Sequence, residues 1–149
     1  SSDYVSPGDL TMGDQSAPVF AATYPKVQNE TPTTFDLALQ IDEDGIAYYV
    51  ILENSAAAPT VEEVKAGTGS GGSAAISNGS MNLTANVDSI VTITGLTQNT
   101  EYDIYVVAED DETPPNIQSS VTEIDAATTI EDITPPNFAA TYPKIIDNT

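Results

Sequence analysis

The chain has 149 residues and carries 23 acidic side chains against three lysines, with no arginine, histidine or cysteine, so that its formal net charge is −20. This composition excludes Ser-His-Asp and Cys-His nucleophile systems, zinc sites built from histidine and cysteine, and a disulfide framework. It also excludes nucleic acid as a partner, because a chain of this charge is repelled by phosphate groups.

Hydrophobic residues make up 40% of the chain, which is enough to bury the core of one domain. No run of 18 apolar residues is present, so we expect no direct membrane insertion. The first four residues lack the basic and apolar regions of a signal peptide, and a signal for export would lie outside this sequence. The acid excess favours bound cations or a salty medium, which points outward from the cell.

A sequence repeat organises the chain. Residues 14–27, DQSAPVFAATYPKV, return as residues 132–145, DITPPNFAATYPKI, at an offset of 118 residues. We interpret residues 1–13 as the end of a preceding repeat or a linker, and residues 14–131 as one domain. Residues 132–149 are then the first strand of the next repeat or a strand donated to a neighbouring chain. Both interpretations give a fibre whose partners are neighbouring copies.

Within the domain, short apolar runs alternate with turn residues. Residues 35–41 show the period-two pattern of a strand with one buried face, and residues 46–52 are apolar on both faces, as in a central strand. Further strands are predicted at residues 89–94, 101–108 and 119–129. Residues 61–67 predict one helical turn, and residues 68–73 a flexible loop. The pattern predicts an all-β, antiparallel two-sheet sandwich whose longest connection contains the helical turn.

Residues 95–108, GLTQNTEYDIYVVA, resemble the entry to strand F of fibronectin type III domains, where a leucine precedes the tyrosine of the tyrosine corner by six residues. The resemblance implies structural roles for Leu96 and Tyr102, and makes Tyr48 and Val50 the inward pair of strand C. The tryptophan usual on strand B is missing, with Ile41 near its place, so the domain would be a divergent member.

A second resemblance concerns the type of protein. Residues 59–67, PTVEEVKAG, together with residues 106–110, VVAED, resemble fibronectin-type repeats of very large secreted bacterial surface proteins and adhesins. Such repeats are mostly spacers. The resemblance therefore implies a structural role for this chain in a secreted, extracellular protein of the cell surface.

In a fibronectin-like sandwich the entry to strand A, the B–C loop and the F–G loop share one end. This end would gather Asp14, residues 42–44 and residues 109–112. Calcium takes six to eight oxygen ligands in flexible geometry, which suits such loops better than the strict octahedron of magnesium. We predict a calcium ion bound by Asp14, Asp42, Asp44, Asp110, Asp111 and Glu112. The alternative is that these acidic loops only solvate the surface.

The same fold predicts an apolar patch. If Tyr48 points inward on strand C and Tyr102 on the neighbouring strand F, then four other side chains face outward together: Tyr49, Ile51, Tyr105 and Val107. We considered three interpretations: a lateral packing face between chains, a sugar-stacking platform for a glycan or surface ligand, and burial beneath residues 61–85.

No pattern predicts a catalytic cleft, and we expect no enzymatic activity. The sequence predicts a non-catalytic structural repeat of an extracellular bacterial fibre or adhesin, acting as a stiff spacer or assembly unit in a head-to-tail array. The alternative is a carbohydrate-binding or accessory module of a secreted enzyme.

Overall fold

Seven strands form two antiparallel sheets in the described part of the structure, a computed structural model that describes residues 14–139 and 145. One sheet has the order β1 (Lys26–Gln28), β2 (Phe35–Leu39) and β5 (Ser89–Ile93). The other has the order β4 (Ser77–Leu83), β3 (Gly45–Glu53), β6 (Glu101–Asp110) and β7 (Thr122–Ala127). The predicted all-β, two-sheet antiparallel sandwich is confirmed.

The core lies between the two sheets. Phe35, Leu37 and Leu39 are fully buried on β2, and their alternation produces one inward face, as the period of two predicts. From the other sheet, Tyr102 packs its ring against Phe35 at a centroid distance of 6.3 Å. Burial of this apolar surface is the main favourable contribution to folding.

The longest strands, β3 and β6, form the centre of the second sheet and pair from Gly45 opposite Asp110 to Glu53 opposite Tyr102. Apolar side chains occupy both faces of these strands. The inner face joins the core between the sheets, whereas the outer face forms a second apolar cluster. This second cluster requires a cover, and the connection between β3 and β4 provides it.

Helix α1 (Val61–Ala66) lies in that connection and confirms the predicted helical turn. Its start is fixed by a capping box, in which Thr60 accepts from the backbone of Glu63 while the Glu63 side chain accepts from the backbone of Thr60. Gly67, at φ 83°, ends the helix in the left-handed conformation that favours glycine. Val64 is 1% exposed and packs onto the outer cluster.

The segment after α1 differs from the predicted flexible loop. Residues Ser70–Gly72 form a 3-10 turn, and Thr68 and Ala74 form an isolated β-bridge around it. The amide of Gly69 donates to the carbonyl of Ser73 at 2.8 Å. The glycines therefore lie in a defined turn. The composition of this segment, rich in glycine and serine, did not predict that turn.

Strand β4 was missing from the prediction. It carries the sequence SNGSMNL, which lacks an alternation of apolar side chains. β1 has only three residues and lies within residues 14–31, the copy that corresponds to the predicted first strand of the next repeat. β4 nevertheless pairs along β3 from Leu83 opposite Gly45 to Ser77 opposite Ile51. The backbone of β3 needs a partner on this edge, and that tertiary requirement overrides the weak β-propensity of β4.

Residue 14 and residue 129 lie at opposite ends of the sandwich. The carbonyl of Asp14 accepts a hydrogen bond from Asn116, which also binds Asp110 at the last residue of β6. The amide of Thr129 donates to Thr31, and Thr128 contacts Thr100, next to the first residue of β6. The ten residues of β6 span about 30 Å between these ends. The predicted segment 1–13 and residues 140–144 and 146–149 lie outside the described residues.

Candidate functional site

Three carboxylates converge at the end of the sandwich where residue 14 enters. Asp14 precedes β1, Glu43 lies in the turn between β2 and β3, and Asp110 ends β6. One carboxylate oxygen from each lies within 4.8 Å of the others. We name Asp14, Glu43 and Asp110 the acidic trio. Oxygen groups at this spacing have the chemistry of a hard-cation site.

The pKa values of Glu43 and Asp14 shift in opposite directions. Desolvation, followed by the hydrogen bond and charge of Asp14 and the charges of Asp110 and Asp42, raises the pKa of Glu43 to about 7. Hydrogen bonds from the side chain and backbone of Ser16 hold the pKa of Asp14 below its usual value. Glu43 therefore takes up a proton near neutrality while Asp14 keeps its charge.

Asp110 is buried, and its neighbours compensate its charge. Desolvation alone would raise its pKa, but hydrogen bonds from Asn116 and from the backbone of Glu112 lower it overall. The amide nitrogen of Asn116 donates to Oδ1 of Asp110 at 2.7 Å, and its side-chain Nδ2 donates to Oδ2 at 2.6 Å. The same Nδ2 donates to the carbonyl of Asp14 at 2.5 Å. Asn116 thus ties the incoming chain to the loop after β6.

The structure brings only part of the predicted ligand set together. Asp14 and Asp110 belong to the trio, whereas Asp42 accepts a hydrogen bond from the amide of Val19 at 2.8 Å and Asp44 one from the amide of Ala85 at 2.8 Å. These two carboxylates hold backbone turns in place.

Asp111 and Glu112 follow Asp110 in the loop and lie outside the trio. Glu43 was missing from the predicted ligand set, although it lies in the acidic turn that the sequence identified. Its proximity to Asp14 could not be found from the order of residues alone. The calcium ion remains a prediction.

The prediction of an exposed apolar patch is wrong. Tyr49 is 6% exposed and Ile51 is fully buried, and both lie in the core between the sheets. Tyr48 and Val50, expected inward, face the outer cluster instead. Because β3 is apolar on both faces, its period of two did not determine which residues face the core.

Tyr105 and Val107 lie on the outer face as predicted, but they are covered. Tyr105 is 4% exposed and Val107 is fully buried, because Val64 of α1 and its neighbours pack over them. The hydroxyl of Tyr105 donates to Glu123 at 2.8 Å, and desolvation first, then this bond, raises its pKa to about 12. Of the three interpretations of the patch, burial beneath residues 61–85 matches the structure.

A second group of three carboxylates lies on the outer face of β6 and β7, made of Asp103, Glu123 and Asp125. Asp103 is 4% exposed, accepts from the amide of Ser55 at 2.8 Å, and has a pKa raised chiefly by desolvation. Sequence reasoning missed this group, because only the pairing of β6 with β7 places Asp103 opposite Asp125.

Leu96 and Tyr102 both lie in the core between the sheets, at 5% and 3% exposure. The hydroxyl of Tyr102 accepts a hydrogen bond from the amide of Thr97 at 2.8 Å. The tyrosine thereby fixes the turn that precedes β6, which is a structural role.

Several large apolar side chains near the end of the described chain are exposed. Phe138 is 73% exposed and Ile133 is 83% exposed, and both belong to the second copy of the repeat. In the first copy Pro18 is fully buried, and Phe20 is half-buried and packs against the core. The two copies thus have similar sequences and different surroundings.

Surface depressions occur on the described part of the chain. One is lined by Leu52, Glu53, Ala56, Ser70 and Ser73. Its single carboxylate offers no pair for acid–base chemistry. Across residues 14–139 and 145, no helix is both long and apolar enough to cross a membrane.

No protein-family model and no curated protein sequence matches the chain. Among solved structures, the chain is similar to a β-sandwich protein that was redesigned by computer. The identity is 18%, the TM-score is 0.45, and the match covers 81% of this chain and 98% of the other. The pairing of its own strands makes this chain a β-sandwich protein.

Proposed function

We propose that this chain is a fibronectin type III-like repeat of an extracellular bacterial fibre or adhesin, which acts as a stiff, non-catalytic spacer or assembly unit. The observation that carries the proposal is the placement of residues 14 and 129 at opposite ends of the sandwich, about 30 Å apart along β6. A unit that is entered at one end and left at the other extends an array with each copy, as a spacer requires.

The fibronectin-like interpretation is supported by two further features. Three strands face four in the orders β1-β2-β5 and β4-β3-β6-β7, and the hydroxyl of Tyr102 binds the backbone of Thr97 five residues upstream. This contact has the form of a tyrosine corner.

Stiffness is supported by the way in which the ends are held. At the exit, the hydroxyl of Thr128 donates to Thr97 at 2.5 Å, and the amide of Thr129 donates to Thr31 at 3.0 Å. At the entry, Asn116 and Gln118 bind the carbonyls of Asp14 and Pro18. Both ends are therefore anchored to the sandwich, so that a load on the array passes into its hydrogen bonds.

The alternative of a carbohydrate-binding module depended on an exposed surface formed by Tyr49 and Tyr105. Both rings are buried, so no observation favours that module. An accessory role in a secreted enzyme has no specific support in the described residues either.

The experiment that tests the proposal is electron microscopy of the source cells with gold-labelled antibodies against this chain. We expect labels along surface fibres, and loss of the fibres when the gene is deleted. Labelling confined to the cytoplasm, or turnover of a substrate by the purified chain, would contradict the proposal.

A further inference from the structure

We propose that the pair Asn54 and Ser55 is a site of self-catalysed modification, in which the amide nitrogen of Ser55 attacks the Asn54 side chain and Asp103 takes up the proton. The modification is a deamidation, which converts Asn54 to aspartate or isoaspartate and releases ammonia. This chemistry goes beyond the proposed spacer function and needs no partner. It depends on how the fold places one buried carboxylate against one backbone amide.

The two reacting residues lie in the turn that follows β3. The amide of Ala56 donates to the carbonyl of Glu53 at 3.1 Å and closes the turn around Asn54 and Ser55. Ser55 has φ 67°, in the left-handed region. β3 ends at Glu53, so strand pairing does not restrain the reacting pair, and both of its residues are exposed. Water can therefore reach the reacting groups, as the final hydrolysis requires.

Asp103 is placed as the general base. The amide nitrogen of Ser55 donates to Oδ2 of Asp103 at 2.8 Å, within the reach that proton transfer requires. Asp103 is 4% exposed, and its pKa is raised chiefly by desolvation, so its carboxylate is a stronger base than an exposed one. Among the asparagines of residues 14–139, Asn54 alone is followed by an amide that donates to a carboxylate.

The side chain of Asn54 is held beside the same strand. Its Nδ2 donates to Oε2 of Glu101 at 3.4 Å, and Glu101 begins β6 two residues before Asp103. Residues two apart lie on one face of a strand. This face of β6 therefore contacts the Asn54 side chain through Glu101 and the Ser55 amide through Asp103, and it holds the base and both reacting groups together before the reaction begins.

The reaction closes a five-membered ring. The nitrogen of Ser55 forms a bond to Cγ of Asn54 while its proton passes to Asp103. The bond between Cγ and Nδ2 then breaks, and Nδ2 leaves as ammonia with the proton that Asp103 had accepted. Water opens the cyclic imide at either of its carbonyl groups and gives aspartate or isoaspartate. The net change consumes water and needs no oxidant, reductant or cofactor.

Modification changes the surroundings of Glu101. The Nδ2 group that donates to Glu101 is lost, and residue 54 gains a carboxylate. A hydrogen bond is thus replaced by repulsion between two like charges. We therefore expect the modified chain to melt at a lower temperature than the freshly prepared chain.

Peptide mapping by mass spectrometry measures the reaction in the folded full chain, incubated at pH 8. Cleavage after glutamate releases residues 54–62, in which the exchange of NH2 for OH is read as a mass increase. We expect Asp103→Asn to slow the reaction about a hundredfold, because asparagine still accepts from the amide of Ser55 but is not a base. Glu123→Gln is the matched control and should slow it far less, since Glu123 belongs to the same carboxylate group but its carboxylate binds Tyr105.

Asn78 provides an internal comparison that needs no variant. The residue after it is Gly79, which has no side chain to hinder ring closure and makes this pair the more reactive one in an unfolded chain. In the folded chain, however, Asn78 pairs with Val50 and Gly79 with Tyr49, so that β3 holds both extended. We expect Asn54 to be modified first in the folded chain and Asn78 first in concentrated urea.

Modification of Asn78 ahead of Asn54 in the folded chain would overturn the proposal. An unchanged rate at Asn54 in the Asp103→Asn chain would also overturn it, because Asp103 would then not act as the base. Neither result bears on whether this chain forms surface fibres. Conversely, absence of fibres on the source cells would contradict the spacer function and leave the reaction at Asn54 intact.

Discussion

The Nζ of Lys65 lies 2.6 Å from Oε2 of Glu109, and this ion pair joins the last turn of α1 to β6 across the outer face of the four-stranded sheet. The other carboxylate oxygen of Glu109 accepts a hydrogen bond from the hydroxyl of Tyr48 at 2.8 Å. The Glu109 side chain is 7% exposed and that of Lys65 is 40% exposed. Removing Lys65 leaves the buried charge of Glu109 without its ion-pair partner, whereas removing Glu109 leaves the charge of Lys65 in contact with water. The two changes therefore have different consequences.

We predict that Lys65→Met lowers the free energy of unfolding by about 2 kcal/mol, and Glu109→Gln by about 1 kcal/mol. Methionine keeps the packing of the lysine stem but leaves the carboxylate of Glu109 with Tyr48 alone. Glutamine still accepts from Tyr48, and the freed Lys65 remains in contact with water. Urea unfolding at neutral pH measures both values.

Lys26→Met is the matched control, because it changes the net charge equally. Lys26 lies 4.6 Å from the ring centroid of Tyr24 and is not paired with a buried carboxylate in the described residues. Its replacement should cost less than that of Lys65. Equal costs at the two lysines, or a larger cost for Glu109→Gln, would contradict the argument from the burial of Glu109.

Gly79 of β4 lies directly opposite Tyr49 of β3, and we predict that Gly79→Ala destabilises the sandwich by about 1 to 3 kcal/mol. In the interior of a strand, alanine is usually more stabilising than glycine. Here, however, a Cβ at position 79 would lie 2.7 Å from Cζ of Tyr49. Thermal and urea unfolding measure the change.

A double-mutant cycle with Tyr49→Leu identifies the cause of this effect. The shorter leucine leaves room at position 79, so the cost of Gly79→Ala should fall in the Tyr49→Leu background. An unchanged cost would mean that the Tyr49 ring does not cross Gly79, and the described placement of Tyr49 would be incorrect.

Tyr49 also shows the limit of what the sequence pattern predicts about the fold. The alternation of Phe35, Leu37 and Leu39 fixed the inner face of β2, because the positions between these large side chains carry only Asp36 and the small Ala38. β3 offers apolar side chains at every position from 46 to 52, so either assignment of its faces agrees with the pattern. Both faces of β3 can be apolar because α1 covers the outer one. The period of β3 carries no information about this tertiary contact.

The acidic trio shows a similar limit. The sequence identified the three loops that meet at one end of the sandwich, since clusters of Asp and Glu are visible without a structure. It did not determine which carboxylates turn toward each other. Asp42 and Asp44 were predicted as ligands, but each forms a hydrogen bond with a distant backbone amide. Such bonds depend on the turn conformation rather than on residue order.

Glu43 is expected to make stability depend on pH between about 4.5 and 7. Its pKa is raised from 4.5 to about 7 in the folded chain, so the folded state binds more protons than the unfolded state in this window. The free energy of unfolding therefore falls as pH rises through it, and the contribution is fully present only below the lower value. Glu43→Gln should remove this fall and gain about 1 kcal/mol at pH 8, after allowance for solvent screening.

Unfolding of the wild type and Glu43→Gln in EDTA at pH 5 and pH 8 measures the effect. Added salt should reduce the difference, because part of it arises from the charges of Asp14, Asp110 and Asp42. Glu123→Gln is a suitable control, since Glu123 belongs to the other carboxylate group. The same pH dependence in wild type and Glu43→Gln would exclude Glu43 as its source.

The calcium ion predicted from the sequence can be tested on the acidic trio by thermal unfolding with calcium or with EDTA. A cation that binds the folded state alone raises the melting temperature by mass action, and it would also relieve the repulsion among the three carboxylates. We expect calcium to raise the melting temperature of the wild type at pH 8, where Glu43 is largely deprotonated. An equal midpoint in calcium and EDTA would eliminate the site.

The repeat supplies a matched pair of variants for this experiment. Asp14 and Asp132 each accept a hydrogen bond at 2.9 Å from the amide two residues later, but only Asp14 belongs to the trio. Asp14→Asn should therefore abolish the shift caused by calcium, whereas Asp132→Asn should keep it, and each removes one negative charge. If both variants kept the shift, calcium would act elsewhere. If both lost it, calcium would act through the overall charge of the chain and not through Asp14, Glu43 and Asp110.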